Sequence, residues 1–351
     1  MACVRFDSYE AQRIETAGVR NRMNTQSRQT SSTRVGPKLF DHRWGVILAG
    51  GDGKRLLPLT RRIAGDNRPK QFCAIMDGET LLAQTRCRVK RMVQPRHTLL
   101  VVTKTHERFY SDQLNDVPSS SLLVQPCNRG TTPAILYSLF RLRESDPSAV
   151  VGFFPSDHYF ADDEALVAHV DSAFESAESS SGKVVLLGIK PSSPEVAYGW
   201  IEPGASLTKD RFGKVFKVSR FWEKPNVSVA SDLMERGCLW NSFLMVGRVD
   251  AYLGLIRLAL PGLLELFESI RSSLLTEGEP GALAHLYSGI HASNFSDEVL
   301  AKSPNDLAVL SGANLGWTDL GETNRVLSLL GENAISTEWA LSCAEECVAS
   351  N

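Results

Sequence analysis

From Trp44 to about residue 190, the chain alternates short apolar runs rich in β-branched residues with stretches of helical periodicity. The runs predict strands at 44–49, 98–103, 121–125, 149–154 and 183–189. The stretches between them predict helices near 80–93, 105–115, 131–143 and 162–178. Nearly continuous apolar strands separated by helices are typical of a parallel sheet with helices on both faces. In such sheets, ligands bind beyond the carboxyl ends of the strands.

The rhythm changes after about residue 190. Strand-like segments at 198–202, 215–223 and 238–247 follow one another closely, which indicates antiparallel additions to the sheet. Helical segments are predicted over about 248–275 and 279–290. The predicted fold is therefore α/β, a Rossmann-like mixed, mostly parallel sheet flanked by helices.

Composition excludes several classes of function. The 351 residues carry 38 Lys and Arg against 40 Asp and Glu, a net charge of −2, so neither a nucleic acid nor an anionic membrane is an expected partner. No run of about 18 apolar residues predicts a membrane-spanning helix. The 7 cysteines are scattered and form no CxxC pair, which argues against a disulfide scaffold or zinc knuckle and favours a reducing cytoplasm.

The two ends differ from the centre. Residues 1–43 are polar and rich in Arg and Ser, with no apolar segment for a signal peptide, and they are predicted to be a flexible basic tail. An organellar transit peptide and a later start at Met23 are the alternatives. Residues 331–351 are predicted to be a C-terminal tail or helix.

The first predicted strand runs into the glycine-rich sequence LAGGDGKRLLPLTRR. Gly50, Gly51 and Gly53 allow a sharp turn that brings backbone N–H groups close to an anion, and Lys54 and Arg55 add positive charge. The spacing is not that of a P-loop, and the third glycine of the dinucleotide fingerprint is missing, so a nicotinamide cofactor is disfavoured. An ordinary tight turn with surface charges is the alternative for the loop by itself.

A second basic motif, RPKQF, places Lys70 shortly after this loop. GGxGxRLxPLT followed by PKQF resembles the sugar-1-phosphate nucleotidylyltransferases, and PKQF resembles mannose-1-phosphate guanylyltransferases in particular. Further segments similar to the family's motifs follow in the family's order, over about residues 44–330: QPCNRGTTPAI (125–135), FFPSDH (153–158), YGWIE (198–202), FWEKP (221–225), WNSFLMV (240–246) and GWTDLGE (316–322).

This resemblance implies a catalytic domain over 44–330 with the nucleotide-diphospho-sugar transferase type of fold. The implied reaction transfers GMP from GTP to α-D-mannose 1-phosphate, giving GDP-mannose and pyrophosphate. It requires two polyanions in line and neutralisation of the charge at the α-phosphate. The implied cofactor is Mg²⁺, with no organic cofactor; GTP and mannose 1-phosphate are the implied partners, and a homodimer is compatible with the resemblance.

The resemblance also implies roles for individual residues. The implied catalytic cations are Arg55, Lys70 and Lys224. The implied nucleotide-binding residues are Ala49, Gly50, Gly51, Gly53, Lys54, Arg55, Gln125, Asn128, Gly130 and Thr131. The implied sugar-phosphate-binding residues are Lys70, Gly199, Glu223, Lys224 and Asn241. Asp157 and Asp319 are the implied metal ligands; helix capping by Asp157 and a turn role for Asp319 are the structural alternatives.

The sequence departs from the family pattern in ways that leave substrate choice open. CNRGTTPA stands where the family has GRNTAPA, which affects the base preference, and Phe243 stands where the family has a small glycine, which affects the sugar pocket. The alternatives are another hexose 1-phosphate with UTP or dTTP, or a non-catalytic regulatory homologue. The chain ends about 30 residues after the GWTDLGE segment, so a single activity is expected.

Overall fold

The computed structural model describes residues 42–76, 78–179, 182–209, 214–312 and 315–332. The predicted tails at 1–43 and 331–351 therefore lie outside the described residues, apart from their inner ends. Arg43, predicted as the last residue of the tail, instead begins the first strand, where it is buried and paired with Glu178 at 2.7 Å. Glu332 ends the last described helix.

Nine strands and ten α-helices make up the described part. The strands are β1 (Arg43–Leu48), β2 (Thr98–Thr103), β3 (Leu122–Gln125), β4 (Val150–Pro155), β5 (Val184–Ile189), β6 (Gly199–Lys209), β7 (Lys214–Glu223), β8 (Leu239–Arg248) and β9 (Leu307–Ser311). The helices are α1 (Leu57–Ala64), α2 (Leu81–Lys90), α3 (Glu107–Tyr110), α4 (Thr131–Ser145), α5 (Asp163–Ser179), α6 (Val227–Glu235), α7 (Val249–Ala259), α8 (Pro261–Ser269), α9 (Glu279–Gly289) and α10 (Thr323–Glu332).

All nine strands form one sheet in the order β3-β2-β1-β4-β8-β5-β9-β7-β6. The half made of β3, β2, β1 and β4 is parallel. β8 is antiparallel to both β4 and β5, and β6 and β7 form an antiparallel hairpin. The predicted α/β class and mixed sheet are confirmed, with parallel pairing concentrated in the first half and at β5–β9.

Helices cover both faces of this sheet because successive strand residues point to opposite sides. Val46 of β1 joins a core with α4, α7, α8 and α9, whereas the next residue, Ile47, joins a second core with α2, α5 and α6. A third, smaller cluster joins α1 to α10. None of the described helices is long and apolar enough to span a membrane.

Some predicted elements differ from the structure for local reasons. The helix predicted over 248–275 is divided between α7 and α8, because Pro261 lacks the N–H that a continuous helix needs and instead begins α8. The sequence did not predict α6, because the β-branched residues at its start have a low helix propensity. The side chain of Asn226 caps α6 by accepting a hydrogen bond from the N–H of Val229 at 3.0 Å.

Candidate active site

A cavity of about 400 Å³ lies at the carboxyl ends of the parallel strands. Fourteen of the residues implied by the resemblance line it: Gly50, Gly51, Arg55, Lys70, Gln125, Asn128, Gly130, Thr131, Asp157, Gly199, Glu223, Lys224, Asn241 and Asp319. The remaining three, Ala49, Gly53 and Lys54, do not line it. Sheet order arranges the lining residues along the cavity, from the end of β3 past β1 and β4 to β8, β7 and β6.

The glycine-rich loop is held by its carbonyl groups. The Gln71 side-chain amide donates to the carbonyl oxygens of Ala49 at 3.0 Å and Gly51 at 2.7 Å, and the Thr103 hydroxyl donates to that of Gly50 at 3.0 Å. No described group accepts a hydrogen bond from the N–H groups of Gly50 or Gly51. The loop therefore has free donors at the cavity, as an anion-binding site requires.

The cations of this loop differ in their position. Arg55 lines the cavity and has no ion-pair partner within the described ranges, so its guanidinium is free for a phosphate. Lys54 points away, with its side chain 81% exposed and 3.8 Å from the Asp52 carboxylate. Gly53 has a φ of 60°, a backbone conformation that favours glycine, and supports the turn without lining the cavity.

The loop at 128–130 is packed against a distant segment. A β-carbon on Gly130 (φ of 84°) would lie 2.2 Å from the carbonyl oxygen of Ser293. The backbone N–H of Thr132 donates to that same oxygen at 3.1 Å, and the N–H of Phe295 donates to the Thr131 hydroxyl at 2.8 Å. Only glycine fits at position 130, and this end of the cavity is built jointly by two segments.

Lys70 lies at the centre of the cavity and is buried. Its ammonium donates to the carbonyl oxygens of Asp319 at 2.5 Å and Leu320 at 3.1 Å, and lies 3.3 Å from the Asp157 carboxylate. A lysine ammonium has three donors, so these three oxygens use all of them. A phosphate oxygen would replace one, and the longest contact, to Asp157, is the one most easily exchanged.

Asp157 and Asp319 are 162 positions apart (319 − 157) and meet because the chain pairs beside them. Tyr159 and Thr318 form an antiparallel bridge with N–H to carbonyl distances of 2.9 and 3.1 Å. Asp157 lies two residues after the end of β4 and does not cap α5. That cap is Asp162, whose carboxylate accepts from the N–H of Ala165 at 2.9 Å.

The Asp319 carboxylate is fixed by three donors. Its Oδ1 accepts from the Arg325 guanidinium at 2.7 Å, the Gly321 N–H at 2.8 Å and the Tyr198 hydroxyl at 3.2 Å. Burial alone would raise the pKa of Asp319. The positive charges of Lys70 and Arg325 outweigh burial, so the pKa of Asp319 lies below its usual value. Burial and the charge of Asp319 raise the pKa of Tyr198 to about 12, so Tyr198 remains a hydrogen-bond donor.

An aromatic cluster packs behind the carboxylates. The Trp317 indole N–H donates to Nδ1 of His158 at 3.2 Å, and the rings of Tyr198 and Trp317 lie 4.9 Å apart. Burial lowers the pKa of His158, so the ring is neutral and serves as an acceptor for Trp317. His158 also neighbours Asp157, with Nε2 of His158 lying 3.8 Å from Oδ1 of Asp157.

The candidate sugar residues come together at the other end of the cavity. A β-carbon on Gly199 would lie 2.9 Å from the Glu223 carboxylate and 3.3 Å from Asn241, so only glycine leaves this space open. The Lys224 ammonium lies 3.5 Å from Glu223 and its side chain is 55% exposed. Burial raises the pKa of Glu223 above its usual value, and the positive charge of Lys224 opposes part of that shift.

Comparison with known proteins identifies the family to which the chain belongs. The sequence profile of the nucleotidyl transferase family matches residues 44–330. The chain belongs to this family. It is 32% identical over 236 residues to the mannose-1-phosphate guanylyltransferase of Escherichia coli strain K12, covering 65% of this chain and 48% of that protein.

Two further matches agree with the family. The xanthan biosynthesis protein XanB of Xanthomonas campestris pv. campestris strain B100 is 30% identical over 292 residues, covering 81% of this chain and 58% of that one. The crystal structure of mannose-1-phosphate geranyltransferase from Thermus thermophilus superposes with a TM-score of 0.69 at 28% identity, covering 82% and 79% of the two chains. The chain spans about half the length of the curated relatives that it matches.

Nucleotidyl transferases generally use a divalent metal, and the donor set fits one. Oδ2 of Asp319 and Oδ1 of Asp157 accept no hydrogen bond from the described residues, and both carboxylates line the cavity. Mg²⁺ prefers one or two carboxylates together with phosphate oxygens. No cluster of three or more His, Cys, Asp or Glu side chains able to hold a metal occurs in the described ranges.

The sequence reading missed several lining residues. Tyr198 and Trp317 lie inside quoted motifs, YGWIE and GWTDLGE, and an aromatic residue beside each candidate was the available signal. Asn294 and Ser296 also line the cavity, but nothing in the sequence between α9 and β9 marks them. Gln71, in PKQF, supports the glycine-rich loop through its hydrogen bonds to the carbonyl oxygens of Ala49 and Gly51.

Proposed function

We propose that this nucleotidyl transferase is a mannose-1-phosphate guanylyltransferase. It would transfer GMP from GTP to α-D-mannose 1-phosphate and release pyrophosphate, giving GDP-mannose. The substrates, Mg²⁺ and a cytoplasmic setting are parts of this proposal. Support comes from the guanylyltransferase of E. coli K12, from the PKQF segment and from the arrangement of the cavity.

The observation that carries the proposal is the order of groups along the cavity. Amide-bearing and glycine positions, Gln125 and Gly130, lie at the β3 end, and Glu223 and Asn241 lie at the β6–β8 end. Cations and carboxylates occupy the middle. A base, a phosphate chain and a hexose joined in a row need these chemistries in the same order.

The residues of the chain have distinct tasks in the proposed reaction. The phosphate of the sugar is itself the nucleophile, so no covalent enzyme intermediate is required. Arg55 would bind the triphosphate and the leaving pyrophosphate, and Lys70 would stabilise the phosphoryl group in transfer. Lys224 would hold the sugar phosphate in line for attack. Asp157 and Asp319 would hold Mg²⁺, which would neutralise charge on phosphate oxygens.

The same reaction with a different pair of substrates is the alternative with a specific observation in its favour. CNRGTTPA departs from the family at the base end, and Phe243 lines the sugar end. A UTP- or dTTP-using enzyme would keep every phosphate and metal residue. A non-catalytic regulatory homologue would need none of Arg55, Lys70 or Lys224 at the cavity, yet all three line it.

The test is pyrophosphate release over a grid of four nucleotides and several hexose 1-phosphates, each with Mg²⁺ and with chelator. The proposal predicts turnover with GTP and mannose 1-phosphate that requires the metal. Preference for UTP or dTTP would favour the alternative, and no turnover with any pair would contradict both.

A further inference from the structure

The base end of the cavity contains a buried hydrogen bond that the reaction itself does not need. The Tyr287 hydroxyl of α9 lies 3.0 Å from Oε1 of Gln125, at the end of β3. Tyr287 is fully buried, and Gln125 is 2% exposed. The two residues are 162 positions apart, and no sequence motif includes Tyr287.

The direction of this hydrogen bond follows from the surroundings. Within the described ranges, Gln125 is the single partner of the Tyr287 hydroxyl. Burial raises the pKa of Tyr287 well above its usual value, so the hydroxyl keeps its proton. A buried O–H without an acceptor is costly, so Tyr287 donates and Oε1 of Gln125 accepts.

This contact leaves the other half of the amide for the ligand. Nε2 of Gln125 lies 2.7 Å from where a β-carbon of Gly50 would stand, beside the cavity. No described group accepts a hydrogen bond from Nε2. Tyr287 does not line the cavity, so Oε1 faces away from the cavity and Gln125 presents its Nε2 donors to it.

A glutamine amide with both ends free pairs with adenine through its N6 donor and N7 acceptor. With Oε1 turned toward Tyr287 and away from the cavity, that two-point contact is lost. A keto oxygen, such as O6 of guanine or O4 of uracil, still accepts from Nε2. The amino group of adenine or cytosine finds no acceptor there.

We propose that Tyr287 is a specificity-determining positioning residue, which fixes the Gln125 amide so that the cavity selects keto bases over amino bases. Tyr287 acts through Gln125 and need not touch the nucleotide. The inference rests on the proposed function insofar as it places the base at Gln125. It extends that proposal by naming the keto group as the part of the base that is recognised, and Tyr287 as the residue that determines this preference.

The test is the affinity of the full chain, with Mg²⁺, for matched keto and amino nucleotides (GTP against ATP, and UTP against CTP) by titration calorimetry. The wild type is expected to bind the keto member at least about tenfold more tightly. In Tyr287→Phe the amide is free to turn, so this ratio should fall by about tenfold while the fold is retained. The ratio, rather than affinity itself, is a readout that a purely structural role would not change.

Tyr137→Phe is the matched control. The Tyr137 hydroxyl is also buried and donates to Glu279 at 2.6 Å, so the substitution removes a comparable hydrogen bond without touching Gln125. Its keto-to-amino ratio should stay within about twofold of the wild type. An equal change in both variants would overturn the inference, as would an unchanged ratio in Tyr287→Phe or tighter wild-type binding of the amino bases.

Gln125→Glu decides the matter if Tyr287→Phe does not fold. A carboxylate can accept from Tyr287 with one oxygen and turns the other to the cavity as an acceptor, so the keto-to-amino ratio should fall below one. A ratio unchanged from the wild type would overturn the inference. Keto selectivity in binding without any turnover would contradict the proposed function alone, whereas GTP turnover with an unchanged Tyr287→Phe ratio would contradict this inference alone.

Discussion

Backbone strain accompanies three residues of the cavity and its edge. Lys224, Phe243 and Leu320 have φ of 48°, 59° and 47°, a region that residues with a β-carbon rarely adopt. Such conformations cost on the order of 1–3 kcal/mol each and persist where the surrounding structure fixes them. At Leu320 the strained backbone directs a carbonyl to Lys70, and at Phe243 a bulge between β5 and β8 turns the residue into the cavity.

Replacing Lys224 with Ala tests the proposed grip on the sugar phosphate. The loss of a charge-assisted contact, about 1.5–3 kcal/mol, should raise KM for mannose 1-phosphate by roughly 10- to 150-fold, as steady-state kinetics would show. Ala keeps the β-carbon, so backbone strain is unchanged. Lys217→Ala, at an exposed position of β7, is the control, and unaltered kinetics in Lys224→Ala would refute the role.

The raised pKa of Glu223 makes a prediction about pH. A carboxyl whose pKa is raised takes up its proton at a higher pH than an ordinary glutamate does. As pH falls, Glu223 should therefore lose its charge early, and with it the proposed contact with sugar hydroxyls. KM for mannose 1-phosphate should therefore rise several-fold between about pH 7.5 and pH 5. In Glu223→Gln, the part of the pH dependence of KM that comes from Glu223 should disappear, and the part that comes from the substrate phosphate should remain. If KM follows the same pH profile in both proteins, Glu223 is not the source of the pH dependence.

The contact between two distant loops gives the base end of the cavity its shape. Residues 128–132 are held by 293–296 through backbone hydrogen bonds, so α4 starts at a fixed distance from the segment after α9. The closest approach is at Gly130, where a side chain has no room. Neither segment would hold this shape alone.

Gly130→Ala should therefore destabilise the protein by about 2 kcal/mol or more, since it adds a backbone clash to an unfavourable φ. Urea unfolding measures this change. The control is Gly254→Ala in the middle of α7, where nothing lies within 4 Å of a new β-carbon and stability should stay level or rise. Equal stability of the two variants would show that the loop contact is not required.

On the scale of the whole molecule, the site depends on the segment around Asp319, which comes from near the end of the described chain and pairs with the residues after β4. Arg325 of α10 holds this segment in place by pairing with Asp319 at 2.7 Å and with Glu195 at 2.8 Å. Its guanidinium also lies 4.6 Å from the centre of the Tyr198 ring. Segments from three parts of the sequence are joined by one side chain. Its removal should loosen Asp319 without touching any substrate group.

Arg325→Met keeps the length of the side chain but not its charge. Without Arg325 the pKa of Asp319 rises toward its usual value, and the stability that the ionised form contributes, present at neutral pH and lost as pH falls, becomes smaller. Unfolding at pH 7 should show a loss of about 1–3 kcal/mol that becomes smaller only as pH falls below about 4. Arg271→Met, which removes an exposed pair with Glu144, should have little effect; a loss that does not depend on pH would contradict the role of Asp319.

The sequence was sufficient for the parallel half of the sheet and the motif residues at its strand ends, because apolar periodicity and glycine spacing are local. It placed Lys70 and Asp157 in loops and Gly199 in a strand, and the structure brings all three to one cavity. It could not reveal Tyr287 or Arg325, which act through contacts with residues far away in the chain. Short elements such as β9, with five residues, also lacked a distinct local pattern.

The central claim is that the cavity holds a base, a phosphate chain and a hexose in that order between the end of β3 and the start of β6. A crystal structure of the full chain with GDP-mannose and Mg²⁺ measures this directly. The account predicts guanine at Gln125, the diphosphate beside Arg55 and Lys70, and mannose at Glu223 and Asn241. A ligand bound in the opposite direction, or outside this cavity, would contradict it.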